Sequence, residues 1–240
     1  MATKKEQIFE IKPIKYVDIN VRIVGDTPLI MHAWSAKAKR EMLEKQIGAT
    51  KTAAREKKNP VEDFVSSMYW LTPMPEEMTA EAVAEILENS RFGFPVTAIK
   101  QAAISSAYRM GWAKDKMSMR GAFFIPSTAD AYYGGDLYVD HDANKVTIIP
   151  NQLRTEQLVE IHSDPPVMRE DMVRVGMGTA DIRYRGEFRN WWADLTVRFN
   201  ENGQYSAEQI LNIINAGGTV CGIGEWRPEK DGQYGMFHVE

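Results

Sequence analysis

Between Gly217 and Glu240 the chain reads GGTVCGIGEWRPEKDGQYGMFHVE, and its residue types suit the capture of an anion. Gly222, Gly224, Gly232 and Gly235 permit positive φ and a close approach of the backbone to another group. Consecutive backbone N–H groups in such a turn form a nest for a phosphate. Arg227 and Lys230 would neutralise the phosphate charge, and Trp226 offers a face for stacking a base. The same glycines would also serve a long hairpin closing a sheet, with no ligand at all.

Two further segments carry clustered cations. Ser35 to Lys45 places Lys37, Lys39 and Arg40 at the start of a helical pattern, where the helix N-terminus itself favours anions. A solvated helix face beside a core Trp34 is the alternative. Met168 to Arg189 is rich in arginine and lacks lysine. Arg183 and Arg185 stand two residues apart, so an extended backbone puts both guanidinium groups on one face. Arginine suits bidentate phosphate contact. Asp171, Asp181 and Glu187 are interleaved with these arginines, so a subunit interface or internal pairing would also account for them. Lys100 belongs to another basic stretch, Lys100 to Arg120.

Catalytic patterns are missing. The sequence has no Walker loop, no His-Glu-x-x-His and no Gly-x-Ser-x-Gly. Asp140-His141-Asp142 is a weak metal candidate at an apparent turn, without further ligands nearby. The one cysteine, Cys221, rules out an intramolecular disulfide and a cysteine-based zinc site. No metal, cofactor or catalytic residue is expected.

The 240 residues carry 44% hydrophobic and 26% charged residues and a formal net charge of −4, values ordinary for a globular protein. The overall charge argues against a generally basic nucleic-acid binder, but the charge is segregated: Glu62 to Glu88 contains no lysine or arginine. The N-terminal segment lacks the apolar run of a signal peptide, and no segment resembles a membrane span. A cytoplasmic protein without membrane contact is the expectation.

The elements that must position these groups follow from periodicity. Tyr16 to Val24 alternates as a half-buried strand, and Arg189 to Asn200 alternates with Trp191, Ala193, Leu195, Val197 and Phe199 on one face. Ser35 caps a helix from Ala36 to Ile47, Thr79 one from Ala80 to Asn89, Thr97 one from Ala98 to Met110, and Ser206 one from Ala207 to Ala216. Ala49 to Asn59 reads as a lysine-rich loop, Pro60 as the start of a short helix, and Phe92 to Pro95 as a turn. Phe123 to Pro126, Ala131 to Val139 and Val146 to Pro150 read as short strands, with turns at Gly134-Gly135 and Asp142-Ala143-Asn144. Gly235 to Glu240 forms a last strand. This order predicts an α+β fold with a ferredoxin-like, RRM-like antiparallel sheet as its core. Residues 1–240 then form one domain, with helical and hairpin insertions at roughly 48–92 and 111–188. Such a sheet exposes one face, as single-strand RNA binders do.

Two segments resemble the RAMP superfamily, the ferredoxin-like RNA-binding proteins known as backbone subunits of CRISPR effector complexes. One is the loop Gly222 to Phe237, between the last helix and the last strand. The other is Phe94-Pro95-Val96-Thr97-Ala98-Ile99-Lys100-Gln101-Ala102-Ala103-Ile104, similar to the family's strand end and helix start. Gln101 stands where the family usually has a small glycine. Leu29 to Lys45 and Met168 to Arg189 also resemble small bacteriophage-encoded proteins. The resemblance implies a non-enzymatic RNA- or single-stranded-DNA-binding protein of a bacterial host's cytoplasm. It further implies a homo-oligomer or filament along the strand, with other protein subunits as potential partners. Its contacts would be Lys37, Lys39, Arg40, Lys100, Arg183, Arg185, Gly222, Gly224, Trp226, Arg227, Lys230, Gly232 and Gly235. The alternative is a phage-encoded protein-interaction, assembly or counter-defence factor that binds no nucleic acid.

Overall fold

The computed structural model describes residues 12–48, 58–133, 136–140, 145–149, 152–176 and 178–240. The turns expected at Gly134-Gly135 and Asp142-Ala143-Asn144, His141, and residues 49–57 of the lysine-rich stretch lie outside them. In chain order the elements are β1 (Tyr16–Gly25), β2 (Leu29–Ile30), α1 (Ala36–Gln46), α2 (Pro60–Ser66), β3 (Tyr69–Trp70), α3 (Ala80–Leu87), β4 (Phe92–Pro95) and α4 (Val96–Arg109). There follow α5 (Lys116–Arg120), β5 (Phe123–Phe124), β6 (Ala129–Tyr133), β7 (Asp136–Asp140), β8 (Lys145–Ile149), β9 (Gln152–Glu156) and β10 (Leu158–Ile161). The chain continues through β11 (Val167–Val175), β12 (Thr179–Phe188), β13 (Trp192–Asn200), α6 (Ala207–Val220) and β14 (Phe237–Val239). The fold is α+β.

The main sheet has the order β14-β1-β13-β5, with every pair antiparallel. Alternation in β1 and β13 sends Val17, Ile19, Val21 and Ile23, with Ala193, Leu195, Val197 and Phe199, into one core. Ile99 and Ala103 of α4 and Ile210, Ile213 and Ile214 of α6 complete that core. The opposite face is open, and residues facing each other across it pair directly. Asp18 accepts two hydrogen bonds from Arg198 at 2.7 Å each, Arg22 donates to Asp194 at 2.8 and 3.0 Å, and Thr196 donates to Asn20 at 2.9 Å. At one end Tyr16 meets Phe124 edge-on; at the other, Trp192 lies between the His162 ring and the Arg22 guanidinium.

A second sheet runs β10-β4-β3-β6-β9, a third β11-β12-β2, and β7 pairs with β8 beneath α1. Three local expectations are corrected. Phe92 to Pro95 is a strand, because its backbone pairs with β3 and β10 on either side. The helix after it starts at Val96, whose N–H bonds to Gln157 O at 3.1 Å, so Pro95 rather than Thr97 occupies the cap. The last helix runs on to Val220, through Gly217 and Gly218. A Cβ at Gly217 would lie 2.9 Å from Ala103 N, and one at Gly218 only 1.8 Å from Phe237 O. These two glycines let α6 close on α4 and β14 rather than ending the helix.

Candidate nucleic-acid interface

The glycine-rich loop turns back on its own chain. Gly222, Gly224 and Gly235 have φ of +64°, +77° and +63°, as a loop that curls this tightly requires. The space each glycine leaves free is filled by protein. A Cβ would lie 2.5 Å from Ile30 O at Gly224, 1.7 Å from Trp226 O at Gly232 and 1.8 Å from Ile223 O at Gly235. The loop's amides are drawn inward as well. Ile223 donates to Gly235 O, Glu225 to Ile30 O, Tyr234 to Trp226 O and Gly235 to Pro28 O, all within 3.0 Å.

Arg227 is held inside this loop. Its guanidinium donates to Gly224 O at 2.9 Å and to Glu229 Oε2 at 3.1 and 3.2 Å. Lys230 ends the short 3-10 turn Pro228–Lys230 and is exposed. Trp226 is also exposed and adopts φ +52°, outside the comfortable range of a bulky residue. Its carbonyl bond to Tyr234 N keeps it there.

The arginine segment forms the two-stranded ladder β11–β12, in which Arg169 faces Arg185 and Asp171 faces Arg183. Their shared face carries a charge network. Arg169 donates to Asp171 at 2.8 Å, to Glu187 at 2.9 Å and to the Tyr234 hydroxyl at 3.1 Å, with its guanidinium over the Tyr234 ring. Burial opposes the Arg169 charge, but these bonds more than offset it and raise its pKa above the usual arginine value. Burial likewise favours a neutral Glu187, yet Arg169 and Arg189 bring its pKa below the ordinary value.

Arg185 is 5% exposed, so its side chain belongs to the interior. Nη1 donates to Asp171 at 3.3 Å, and Nη2 lies 3.8 Å from Glu225 of the loop. Nε is buried without a hydrogen-bond partner. Arg183 lies further out. Its Nε is 2.8 Å from Asp181 Oδ2, a contact of charges without hydrogen-bond alignment. Asp181 also accepts from Lys58 Nζ at 3.0 Å, and Lys58 donates to Ile182 O. Of the expected pair, Arg183 faces the surface and Arg185 is committed to internal pairing.

The segment leading into α1 completes the neighbourhood. Ala33 N–H bonds to Ser67 O and Met31 N–H to Gly186 O, so the chain stays extended beyond β2. Extension alternates its side chains: Met31 and Ala33 are buried, while His32 and Trp34 point outward. Trp34 is 61% exposed, which corrects its reading as a core residue. Ser35 caps α1, its Oγ accepting from Ala38 N at 3.1 Å. His32 Nδ1 lies 3.3 Å from Glu225 Oε1. That bond is the main reason the Glu225 pKa falls below its ordinary value, with the Arg185 charge adding to it against burial.

His32 therefore sits where three segments far apart in sequence meet. It lines a cavity of about 180 Å³ against Gly224, Arg227 and the start of α4, and another of about 300 Å³ against Trp34, Arg183 and Arg185. On α1, Arg40 pairs with Glu44 at 3.7 Å, one helical turn on. Lys39 is shifted down by burial first and by the Arg154 charge second. Lys37, like Lys39 and Arg40, is partly buried on the same helix. Lys100 stands apart from both cavities. Its Nζ lies 4.5 Å from the Phe124 ring centroid, and burial lowers its pKa.

Sequence reasoning picked out the three segments, and Glu187 as an acid to pair with the arginines, but missed the joints Arg169, Glu225 and His32. The i, i+2 spacing of Arg169, Asp171, Arg185 and Glu187 on alternate strand positions was the available signal. Among the described residues, no group of three His, Cys, Asp or Glu is placed to hold a metal ion, and no helix is long and apolar enough to cross a membrane. No family model matches the chain, and no curated protein matches it either.

Proposed function

We propose that this chain is a non-enzymatic protein that binds single-stranded RNA or DNA and oligomerises along the strand, on a RAMP-like, ferredoxin-like core. One observation carries the reading. The lead-in to α1, the arginine ladder and the glycine-rich loop converge on the His32–Glu225 contact, the first and last carrying the exposed Trp34 and Trp226 and the ladder the half-buried Arg183. Trp34 and Trp226 offer stacking faces, while Arg183 and Lys230 offer charge. Arg185 and Arg227 act within this surface as fasteners, with their guanidinium groups turned to Asp171, Glu225 and Glu229. For the core, the support is the strand order β14-β1-β13-β5 with α4 and α6 on one face, the arrangement of a split βαβ unit. The strand runs over the loop side of the molecule. The open sheet face is a poorer platform, since its charged residues are already paired with one another.

A second reading, a protein-interaction module, draws on the other face of the arginine ladder. Met172 and Ile182 are direct cross-strand partners, and Met168 lies on the same face. All three are exposed, Met172 to 77%. An outward apolar ladder backed by an inward charged one suits a contact between proteins, including one between copies along a strand.

The test is a salt titration of the full chain against a labelled single strand of RNA and one of DNA. A steep, linear fall of log affinity with log salt concentration supports strand binding. Failure to bind at low salt, together with a stable complex with another protein, supports the second reading. The 260/280 absorbance ratio of the purified protein gives a first indication, because strand carried over from the host raises it.

A further inference from the structure

Charge is divided along this chain, and two of its unpaired patches match each other. Residues 62–88 hold acids and no lysine or arginine. Within them α3 carries Glu81 and Glu85 one turn apart, flanked by Glu76, Glu77 and Glu88, and all five are exposed. Among the described residues none of the five is bonded to a cation. Like charges at i, i+4 repel, and Glu85 and Glu88 stand at the helix end whose dipole disfavours acids, with no basic residue in the last turn. Local structure therefore works against these charges. Beside them Ala80 and Ala84, also exposed, form a row of small side chains that another surface can approach closely.

The opposite patch lies at the end of α4 and in α5. Residues 108–120 hold Arg109, Lys114, Lys116 and Arg120 against Asp115, and Asp115 is engaged in capping α5 through Ser118 N at 2.8 Å. Arg109 pairs with Glu229 and Lys116 donates to Ser105, but Lys114 and Arg120 are exposed and have no partner among the described residues. The same stretch exposes Met110, Trp112 and Met117, the last to 74%. Met110 and Trp112, with Tyr205, Ile213 and Ala216, line a groove of about 690 Å³ between the end of α4 and α6. A nucleic-acid strand would satisfy Lys114 and Arg120 but leave the acids of α3 unmatched. A second copy of the chain satisfies both, and its aliphatic surface suits the groove.

We infer that copies of this chain join head to tail, α3 of one lying along the groove between α4 and α6 of the next. Glu81 and Glu85 then meet Lys114 and Arg120, while the alanine row rests on Trp112. Two different patches pair, so each joined copy still has one patch free and the contact propagates. The inference rests on the strand-binding reading only for its oligomer, to which it gives a defined joint. Each patch is smaller than the roughly 20–30 residues a side of a standard interface, so the joint alone is weak and a bound strand adds to it.

Sedimentation velocity of the full chain, freed of nucleic acid, tests this over a range of protein concentration and salt. Association should grow with concentration at low salt and be lost at high salt, where exposed charges are screened. Glu81→Lys with Glu85→Lys, and Lys114→Glu with Arg120→Glu, replace exposed side chains only, and each double variant alone should stay monomeric. Mixed in equal amounts, the two should associate again as alternating copies, a rescue that misfolding would not permit. A chain that stays monomeric at every concentration, association indifferent to the reversals, or no rescue on mixing overturns the inference. Association that ignores the reversals but is lost in Met172→Asp places the joint on the outer face of the arginine ladder and overturns it too. Strand binding is followed separately by the salt titration. If Lys114→Glu with Arg120→Glu weakens strand binding while association persists, the groove is a strand contact and the joint is wrong. Strand binding by a chain that does not associate removes the joint and leaves the strand; association without strand binding does the reverse.

Discussion

The glycine-rich loop and the cavity beside Trp34 lie on two sides of His32, and they differ in what fills their space. In the loop, the room left by missing side chains is taken by backbone: Ile30 O, Trp226 O and Ile223 O stand where Cβ atoms would be. At the cavity, side chains converge and a buried Arg185 N–H has nothing to bond. Dense glycine thus marks a tightly folded support, whereas the cavity is a gap that side chains border without filling. The loop's close-packed glycines hold the exposed Trp226 and Lys230 at its surface.

The sharpest way to break this division is to add a methyl group to the support. Gly218→Ala sets a Cβ against Phe237 O within a packed helix–strand contact. Gly111 has φ +73°, but a Cβ there would meet nothing within 4 Å, so Gly111→Ala is the control that strains backbone alone. Urea unfolding should show a loss of about 3 kcal/mol or more for the first, from overpacking without relief. The second should cost about 1 kcal/mol, the penalty of a left-handed conformation. If Gly218→Ala is tolerated like Gly111→Ala, the loop and helix are not the rigid support described.

The loop's two cations should separate next. Arg227 closes the loop through Gly224 O and Glu229, so Arg227→Ala should lower stability by about 1–2 kcal/mol as well as weaken strand binding. Lys230 is exposed, and Lys230→Ala should leave the melting temperature unchanged while reducing the salt slope of strand binding by about 1. Equal effects of the two on melting would contradict the assignment of Arg227 as a fastener.

Strand periodicity was the most legible part of the fold. The in–out pattern of β1 and β13 matches the alternation read from Tyr16 to Val24 and from Trp191 to Phe199, because one buried face dictates every second residue. Punctuation residues misled where tertiary contacts decide. Gly217 and Gly218 look like a helix stop but are a packing surface, and Phe92-Gly93-Phe94-Pro95 looks like a turn but pairs on both edges. The three site segments were visible as clusters of cations, aromatics and glycines. Their meeting at His32 was not, since it depends on β2 pairing with β12 and on Glu225 bonding to Ile30. Nor does the alternation of Arg183 and Arg185 say which face turns inward; the register with Asp171 and Arg169 settles that.

The joint at His32 has a pH dependence that the two regions share. Glu225 has its pKa below the ordinary 4.5, chiefly through the His32 hydrogen bond. A lowered folded value means the contribution is complete above pH about 4.5 and is lost as the pH falls through the folded pKa. Glu187, lowered by Arg169 and Arg189 against its burial, acts in the same window. Hydrogen exchange of the Tyr234 and Glu225 amides should therefore speed up below pH about 4.5 before the β1 and β13 amides do. Glu225→Gln should flatten that difference in part, leaving the share of Glu187. Simultaneous acid release of loop and sheet would mean that the joint has no separate stability.

The smallest effect is expected on the sheet's open face, and it bears on the same contrast. Asp18 and Arg198 form two hydrogen bonds at 2.7 Å, a geometry as good as any in the Arg169 network, yet both side chains are more than two-fifths exposed. Water and salt replace most of what such a pair provides. Asp18→Asn should leave the midpoint of urea unfolding unchanged within error. It should also leave strand binding unchanged, although it frees a cation on an exposed sheet. Asp171→Asn removes a carboxylate charge from the buried pair with Arg185, where solvent cannot compensate, and should lower the midpoint visibly. If Asp18→Asn instead strengthens strand binding, then Arg198 has become a phosphate contact, and the strand crosses the open sheet as well as the loop side.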